Sequence, residues 1–224
     1  MSTKALFITG ASSGIGAATA RLAIAQGWQV GLFARSGDKL DTLVGELGDK
    51  AMALPGDVTD LDNLKTAMET FVGKTGGLSA AFANAGMGLS ASGTEAGDAE
   101  EWEEMIDVNI LGVLWTVMAV MPYLKKQAGH LLLTGSAAGR VHIAGSVYGA
   151  SKWFVHGYGG NLAAEMKSFG GRCTIIAPGM VNTAFFDEPK PDKLQAEDVA
   201  RAALFALEAD SRCTVNEIFL MPTH

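Results

Sequence analysis

Residues 9–16 read TGASSGIG, and they join the apolar run Ala5–Thr9 to a helical pattern that begins at Gly14. A glycine-rich turn from a strand into a helix presents free backbone N–H groups and the positive end of the helix dipole, which suits a pyrophosphate. Gly10 allows a tight turn, Gly14 lets a ligand approach the backbone, and Gly16 lets the helix pack closely on the strand. The stretch therefore predicts a dinucleotide site, with an ordinary flexible turn as the alternative.

The spacing of this turn is T-G-x-x-x-G-x-G rather than the G-x-G-x-x-G of many dinucleotide sites. It also lacks the Lys-Ser/Thr pair that follows the last glycine in the phosphate loop of ATPases. The turn is therefore typical of a dinucleotide rather than of a nucleoside triphosphate.

Apolar, β-rich runs alternate with longer helical patterns along the rest of the chain. Several of these runs show little polar alternation, as expected of strands that are covered on both faces. The alternation predicts an α/β fold with a doubly wound parallel sheet and right-handed connections. The predicted strands are residues 5–9, 29–34, 51–54, 78–83, 130–134, 172–177 and 214–220. The predicted helices are residues 14–26, 39–47, 61–72, 99–124, 147–169 and 195–209.

No linker, repeat or low-complexity segment divides the 224 residues. The run of Gly, Ser and Ala at residues 86–97 comes nearest to a break, and it predicts a loop at the ligand edge of the sheet. We therefore expect a single domain over residues 1–224, which is long enough to bury a full core without disulfides or metals.

The composition excludes several classes of partner. The formal net charge of −7 leaves no basic surplus for nucleic acid. No apolar run is expected to reach the ~18 residues of a membrane span, and no signal peptide precedes the first strand, so we expect a cytoplasmic protein. Cys173 and Cys213 are predicted to be small buried residues rather than a redox pair, and no Cys/His spacing indicates a metal site.

The end of the second predicted strand reads Ala34-Arg35-Ser36 and carries no acid. Sites that prefer NAD place a carboxylate there to bind the ribose hydroxyls. Arg35 and Ser36 could bind a 2′-phosphate instead, and the alternative for Arg35 is a solvated surface side chain.

Tyr148 and Lys152 are four residues apart on a predicted helix, so they share a face. A phenol titrates near ~10, and a cation about 4 Å away at an effective dielectric constant of ~20 contributes up to about 4 kcal/mol, enough to lower that pKa. Such a phenol can act as a general acid or base. Taken alone, such a pair would usually be two exposed side chains without a chemical role.

Polar side chains near three other elements favour the chemical interpretation. Ser136 lies just past an apolar strand, where its hydroxyl can donate to a substrate carbonyl oxygen. Residues 84–86 read Asn-Ala-Gly and reach the same edge, although they could be a plain turn. Asn109 lies inside a helical pattern, which disfavours Asn. It is predicted to kink the helix and serve a water chain near Lys152, or else to be an exposed polar position.

Together these motifs resemble the single-domain branch of the short-chain dehydrogenase/reductase family. The matching pieces follow the family's order over nearly the whole chain: residues 9–16, Asp57-Val58, Asn84-Ala85-Gly86, Asn109, Ser136, Tyr148-x-x-x-Lys152 and the PGMVNT segment at 178–183. The resemblance implies a seven-stranded Rossmann-like sheet with helices on both faces. It also implies an oxidoreductase that interconverts a carbonyl and an alcohol with NADP(H).

The resemblance implies specific roles for the matching residues. The implied catalytic set is Asn109, Ser136, Tyr148 and Lys152, with Lys152 also holding the nicotinamide ribose. Asp57 would contact the adenine, Asn84 the adenosine ribose region, residues 178–183 the carboxamide and a phosphate, and Arg35 the 2′-phosphate. The full set of implied cofactor contacts is Gly10, Ser12, Ser13, Gly14, Ile15, Gly16, Arg35, Ser36, Asp57, Val58, Asn84, Ala85, Gly86, Tyr148, Lys152, Pro178, Gly179, Val181 and Thr183.

Two segments bear on the substrate, and one of them departs from the family's pattern. Residues 184–194, where the family binds its substrate, are short, which predicts an open substrate side lined in part by His142, Ile143, Val147 and residues 87–89 and 184–186. The tail at 216–222 resembles members that act on small polar alcohols.

The resemblance leaves two other functions and a set of assemblies open. A non-catalytic regulator that binds the dinucleotide would be expected to lack Tyr148 or Lys152. An epimerase or dehydratase of the same fold would carry a larger C-terminal substrate domain. The long apolar helices at residues 99–124 and 147–169 predict a homodimer or homotetramer.

Overall fold

The protein is described by a computed structural model over residues 4–91, 93–186 and 188–223. Position 92 of the predicted loop and position 187 of the short substrate-side segment lie outside the described residues. Seven parallel strands form one sheet: β1 Ala5–Thr9, β2 Gln29–Ala34, β3 Ala51–Pro55, β4 Ala80–Ala83, β5 His130–Thr134, β6 Arg172–Pro178 and β9 Glu217–Leu220. A separate two-residue pair joins β7 Val181–Asn182 to β8 Leu194–Gln195. The helices are α1 Gly14–Ala25, α2 Gly37–Leu47, α3 Leu61–Thr75, α4 Ala99–Ile106, α5 Gly112–Gln127, α6 Val147–Lys167 and α7 Ala196–Glu208.

Both faces of the sheet are covered by helices. Along β1, Leu6 and Ile8 point into a core built with α1, α2 and α7, whereas Ala5 and Phe7 point into a core built with α3, α5 and α6. All four of these residues are fully buried, which explains why the strand sequences lack polar alternation. The doubly wound, seven-stranded α/β fold predicted from the sequence is confirmed.

The strand order β3-β2-β1-β4-β5-β6-β9 places β1 next to both β2 and β4. The chain thus turns outward in opposite directions on either side of β1, and this switch leaves a crevice beyond the carboxyl ends of the central strands. Ligands of open α/β sheets bind in such a crevice. The turn at residues 10–14 opens directly into it.

Several predicted boundaries were wrong, and packing explains the differences. β4 begins at Ala80 rather than at residue 78, although Leu78 is fully buried, because its ladder partners in β1 start at Leu6. β9 begins at Glu217 rather than at residue 214. The single helix predicted at 99–124 is α4 and α5 joined by a π-helical turn at Asp107–Leu111, and it continues to Gln127.

The helical stretch Ala99–Gln127 meets the length and composition criteria of a membrane span, since its most apolar window of 18 residues has a mean hydropathy of 1.7. The prediction that no apolar run is long enough was therefore wrong. In this fold 44% of its most apolar window is buried, and Val113, Val117 and Val120 pack into the core under the sheet. The stretch acts here as a core helix.

The two cysteines differ in environment. Cys173 is buried in β6, and burial raises the pKa of its thiol to about 12. Cys213 is exposed, so the prediction that both are buried was wrong for Cys213. It lies in a turn because β9 starts four residues later.

Candidate active site

The glycine turn after β1 has the geometry that a pyrophosphate requires. Gly10 and Gly14 have φ angles of +64° and +53°, in the left-handed region that favours glycine. At Gly16 a Cβ atom would lie 2.4 Å from the carbonyl oxygen of Gly10, so only glycine fits there. Ser13 caps α1 without a side-chain hydrogen bond to the first turn. The N–H groups of that turn are therefore not capped by Ser13 and can face an anion, which fits a bound dinucleotide.

Asn84 holds the ends of three strands together at the rim of the crevice. Its Nδ2 donates to the carbonyl oxygens of Thr9 and Gly10 at 3.1 and 3.3 Å, and its Oδ1 accepts from Thr134 Oγ1 at 3.0 Å. In return, the backbone N–H groups of Asn84 and Ala85 donate to Thr9 Oγ1 at 3.1 and 3.2 Å. The amide of Asn84 is thus engaged by the protein itself, and its contact with a ribose stays a prediction.

The end of β2 presents a basic group to solvent. Arg35 has 68% of its side chain exposed, and its Nη1 lies 3.7 Å from Glu104 Oε1. An exposed pair at that separation contributes little stability. Ser36 precedes α2 and makes no side-chain cap hydrogen bond. Both side chains are therefore available to a phosphate at this edge.

Asp57 and Val58 lie just past the end of β3. Asp57 Oδ1 accepts from the backbone of Thr59 at 3.0 Å, which fixes the turn. Val58 is buried against α5, where a Cβ atom at Gly112 would lie 2.9 Å from Val58 Cγ2. The side chain of Val58 thus packs inward, while Asp57 remains partly accessible at the rim.

Asn109 is buried, with 1% exposure, so the alternative of an exposed polar position was wrong. Its side chain pairs with the backbone of Met87 in both directions, since Oδ1 accepts from Met87 N and Nδ2 donates to Met87 O, each at 2.9 Å. Nδ2 also lies 3.2 Å from Ser151 Oγ on α6. The π-helical turn places this amide inside the fold, where it ties the loop after β4 to the helix that carries Tyr148.

Lys152 is buried, with 5% exposure, beside the same loop. Its Nζ donates to the carbonyl oxygen of Thr134 at 3.1 Å and lies 5.7 Å from the ring centroid of Tyr148. A Cβ atom at Gly86 would lie 3.5 Å from this Nζ and 3.2 Å from Asn109 Oδ1. Burial lowers the pKa of Lys152 to about 8. The ammonium form is therefore still the major species at neutral pH.

Tyr148 and Ser136 lie together at the mouth of the crevice, with their hydroxyl groups close enough for Ser136 to influence the phenol. Ser136 Oγ accepts from Ala138 N at 3.1 Å, which leaves its own proton for donation. Burial raises the pKa of Tyr148, and the hydrogen bond to Ser136 offsets this only in part. The pKa of Tyr148 is thus raised overall, where a net lowering was predicted from its pairing with Lys152, because burial is the largest of its causes.

The segment after β6 closes over the glycine turn. A Cβ atom at Gly14 would lie 3.3 Å from Thr183 Cγ2, so Thr183 lies against the glycine turn, and the contact of residues 178–183 with a cofactor stays a prediction. Gly179 N donates to Leu220 O at 2.7 Å, and Val181 is buried in β7. These two residues anchor the segment, and Thr183 is the part of it that faces the turn.

Phe185 narrows the substrate side that the short 184–194 segment was expected to leave open. Its ring centroid is 5.6 Å from that of Tyr148, and a Cβ atom at Gly88 would lie 2.9 Å from its Cζ. With 41% of its surface exposed, Phe185 lies across the entrance between Gly88 and Tyr148. The ring of Phe185 thus covers part of the approach to Tyr148 from the side of Gly88.

Sequence reasoning missed one residue beside the site. His156 lies one helical turn beyond Lys152 on α6, and its Nε2 is 3.1 Å from the carbonyl oxygen of Ser136. The i, i+4, i+8 spacing of Tyr148, Lys152 and His156 was a signal that could have placed all three on one face. Among the described residues, no group of three or more His, Cys, Asp or Glu side chains could hold a metal ion.

Comparison with known proteins agrees with this geometry. The sequence model of the family described as short chain dehydrogenase matches residues 4–194. An uncharacterized oxidoreductase of Staphylococcus aureus (strain MW2) is 38% identical over 99% of this chain and 98% of its own length. The chain belongs to the short-chain dehydrogenase family and is an oxidoreductase of that family.

Two solved structures are similar over nearly their whole length. The serine dehydrogenase of Escherichia coli superposes with a TM-score of 0.90 at 30% identity, covering 97% of each chain. An alcohol dehydrogenase of the archaeon Thermococcus sibiricus, complexed with 5-hydroxy-NADP, superposes with a TM-score of 0.91 at 29% identity, covering 99% of this chain and 97% of that one.

Proposed function

We propose that this protein interconverts a carbonyl compound and an alcohol with NADP(H), and that Tyr148 is its general acid and base. The observation that carries the proposal is the convergence of the Ser136 hydroxyl, the Tyr148 hydroxyl and the buried Lys152 ammonium group beside the glycine turn. A hydroxyl pair next to a buried cation suits an oxygen atom that gains negative charge and then a proton.

The residues of the crevice divide the binding of the dinucleotide among them. The turn at residues 10–16 would hold the pyrophosphate, Arg35 and Ser36 the 2′-phosphate, and Asp57 the adenine. Lys152 would hold the nicotinamide ribose, and residues 178–183 the carboxamide. When bound, the nicotinamide would supply the hydride that adds to the carbonyl carbon.

The chain's own groups handle the carbonyl oxygen. Ser136 donates a hydrogen bond to it, which stabilises the developing negative charge. Tyr148 transfers its phenolic proton to the same oxygen, and the product is the alcohol. Lys152, protonated at neutral pH, stabilises the phenolate that remains. Asn109 fixes the Met87 backbone beside Lys152 and thereby keeps this wall of the crevice in place.

The raised pKa of Tyr148 favours the reducing direction at neutral pH. Burial keeps the phenol protonated, as a proton donor must be. Alcohol oxidation needs the phenolate instead, so its rate is expected to rise with pH over a range where carbonyl reduction does not.

Arg35 is proposed to select NADP(H) over NAD(H). No carboxylate at 34–36 repels a 2′-phosphate, and the guanidinium of Arg35 can bind one with a charge-assisted pair. Such a bond contributes ~1.5–3 kcal/mol. Arg35→Ala should therefore weaken NADPH binding by roughly tenfold to a hundredfold and leave NADH binding nearly unchanged, as measured by fluorescence titration.

A second variant serves as the matched test of this preference. Ala34→Asp combined with Arg35→Ala adds the repelling carboxylate and is expected to reverse the preference. Equal weakening of NADH and NADPH by Arg35→Ala would mean that Arg35 stacks on the adenine of either cofactor, and the selectivity proposal would be wrong.

A homodimer or homotetramer is the proposed assembly. Met118 on α5 and Trp153 on α6 are exposed at 53% and 41%, and pairing of these helices across a symmetric interface would cover both side chains. Light scattering at micromolar concentration is expected to give at least twice the 23.3 kDa mass of the chain. A mass of one chain would contradict the assembly.

One experiment separates this function from its rivals. NADPH consumption is followed by absorbance with a panel of aldehydes and ketones, and NADP reduction with alcohols that include serine, because a similar structure is a serine dehydrogenase. Turnover that yields the corresponding alcohol or carbonyl supports the proposal. Tight binding without turnover would indicate a regulator, and an isomerised or dehydrated product without net cofactor consumption would indicate the epimerase or dehydratase branch.

A further inference from the structure

A buried histidine packs against the backbone of Ser136 from the side of helix α6. The Nε2 atom of His156 is 3.3 Å from Ser136 N and 3.1 Å from Ser136 O. Only 6% of the residue is exposed. The imidazole therefore contacts the residue that carries the proposed hydrogen-bond donor, although it belongs to neither the substrate nor the cofactor site.

The turn around Ser136 leaves room for this ring. A Cβ atom at Gly135 would lie 2.7 Å from His156 Nε2, and one at Gly139 would lie 2.6 Å from His156 Cδ2. Both distances are shorter than side-chain contacts allow, so glycine on each side of Ser136 forms the slot in which the imidazole sits. The fit is close enough that movement of the ring would move the turn.

Two charged side chains stand behind the histidine. His156 Nδ1 lies 3.5 Å from Glu217 Oε1, and the carboxylate of Glu217 accepts from Arg140 Nε at 3.0 Å. Arg140 directly follows the short 3-10 turn Ala137–Gly139 that Ser136 caps. The turn is thus held at its start through His156 and at its end through Arg140, and both lead to the same carboxylate at the start of β9.

The groups around the ring of His156 keep it uncharged. Burial, together with Arg140 and Lys152, lowers the pKa of His156, against the opposing effects of Glu217 and the Ser136 backbone, so the ring is neutral at neutral pH. A neutral imidazole has one donor and one acceptor nitrogen. Nε2 lies 3.3 Å from Ser136 N and 3.1 Å from Ser136 O, so either tautomer of the neutral ring bonds one of these two backbone groups.

We propose that His156, oriented by Glu217 and Arg140, is a positioning residue that holds the Ser136 turn so that the Ser136 hydroxyl points toward Tyr148. The inference rests on the proposed function, because it matters to turnover only if Ser136 polarises a substrate. Small displacements of a donor at a reacting oxygen reduce the rate strongly. The competing explanation is that His156 is a buried polar residue that contributes to stability alone.

The test compares His156→Leu with His156→Gln and with a matched control. His156→Leu removes the contact to Ser136, whereas Gln places an amide near the position of Nε2. His130→Leu is the control. His130 is also buried, and one of its ring nitrogens is hydrogen-bonded to Thr174. It begins β5, whereas Ser136 follows the other end of that strand. Each variant is checked by thermal unfolding before kcat, KM and the Kd for NADPH are measured.

The expected result is a split between catalysis and binding. His156→Leu should lower kcat at least tenfold with an NADPH Kd within twofold of wild type, because the glycine turn at residues 10–16 is untouched. His156→Gln should recover most of the loss, and His130→Leu should retain kcat. A folded His156→Leu protein with kcat within twofold of wild type would overturn the proposal, as would equal loss of kcat in His130→Leu.

A readout that needs no turnover keeps this inference separate from the proposed function. Amide hydrogen exchange over residues 136–140 should become at least tenfold faster in His156→Leu and stay unchanged in His130→Leu. If the wild-type protein reduces no carbonyl, the proposed function fails while exchange still decides whether His156 holds the turn. If His156→Leu does not fold, Glu217→Gln decides instead: faster exchange supports the inference, and unchanged exchange overturns it.

Discussion

Tyr148→Phe is expected to lower kcat by roughly 10²- to 10⁴-fold, the range that a positioned general acid contributes. The change removes one oxygen atom and its proton, while the ring and its contact with Phe185 remain. The Kd for NADPH should therefore stay near the wild-type value. Steady-state rates with the best carbonyl substrate and a fluorescence titration of NADPH measure the two quantities on the same preparation.

Tyr158→Phe is the matched control for this change. Tyr158 lies on the same helix, is partly buried, stacks on Phe154 and packs against the core formed with α3, α5 and α6. It should retain wild-type turnover. Retention of more than a tenth of wild-type activity in Tyr148→Phe would rule out Tyr148 as the acid.

Lys152→Met is expected to reduce turnover by a hundredfold or more and yet to leave the protein at least as stable at neutral pH. The loss of turnover follows from the loss of the cation that stabilises the phenolate of Tyr148. The gain in stability follows from burial, which disfavours the charged lysine in the folded state. Lys167→Met, at the exposed end of the same helix, is the control for turnover.

The sign of this stability effect can be checked against pH. The pKa of Lys152 is about 8 in the folded protein and 10.5 as its ordinary value, so between these values the unfolded chain binds more protons. The penalty for burying the cation is full below pH 8 and is relieved as pH rises to 10.5. Its relief over this pH range raises the free energy of unfolding by about 3 kcal/mol at most.

Chemical unfolding without cofactor measures this pH dependence directly. The free energy of unfolding of wild type should rise relative to that of Lys152→Met between about pH 8 and pH 10.5. A constant difference over that range would mean that Lys152 is not held in a desolvated charged state, and the electrostatic part of the mechanism would be wrong.

Local patterns in the sequence were sufficient to predict the fold. The glycine turn at residues 9–16 and strands without polar alternation require a parallel sheet that is covered on both faces, and the structure has one. The ends of the strands were harder to predict from the sequence. Leu78, for example, is apolar and fully buried, and yet it precedes the residues of β4 that pair with β1. The π-helical turn at Asp107–Leu111 carries Asn109, whose pairing with the Met87 backbone joins two elements that lie apart in the sequence.

At the candidate site, too, residue spacing was predictable from the sequence, whereas effects of the surrounding packing were not. The i, i+4 spacing of Tyr148 and Lys152 correctly predicted a shared face, because it follows from helix geometry alone. It did not predict that burial would raise the pKa of Tyr148, since desolvation depends on what packs around the ring, including Phe185. His156 was missed for a related reason, because its contact with Ser136 exists only once α6 lies against β5 and β6.

Transfer of deuterium from NADPH labelled at C4 of the nicotinamide tests the central claim most directly. The labelled cofactor is incubated with a panel of aldehydes and ketones, and the products are analysed by mass spectrometry. The proposed function predicts an alcohol with one deuterium on the carbinol carbon, formed by wild type and, at equal enzyme concentration and time, not detected with Tyr148→Phe. Cofactor binding without a labelled alcohol from any member of the panel, or equal labelling by both proteins, would contradict it.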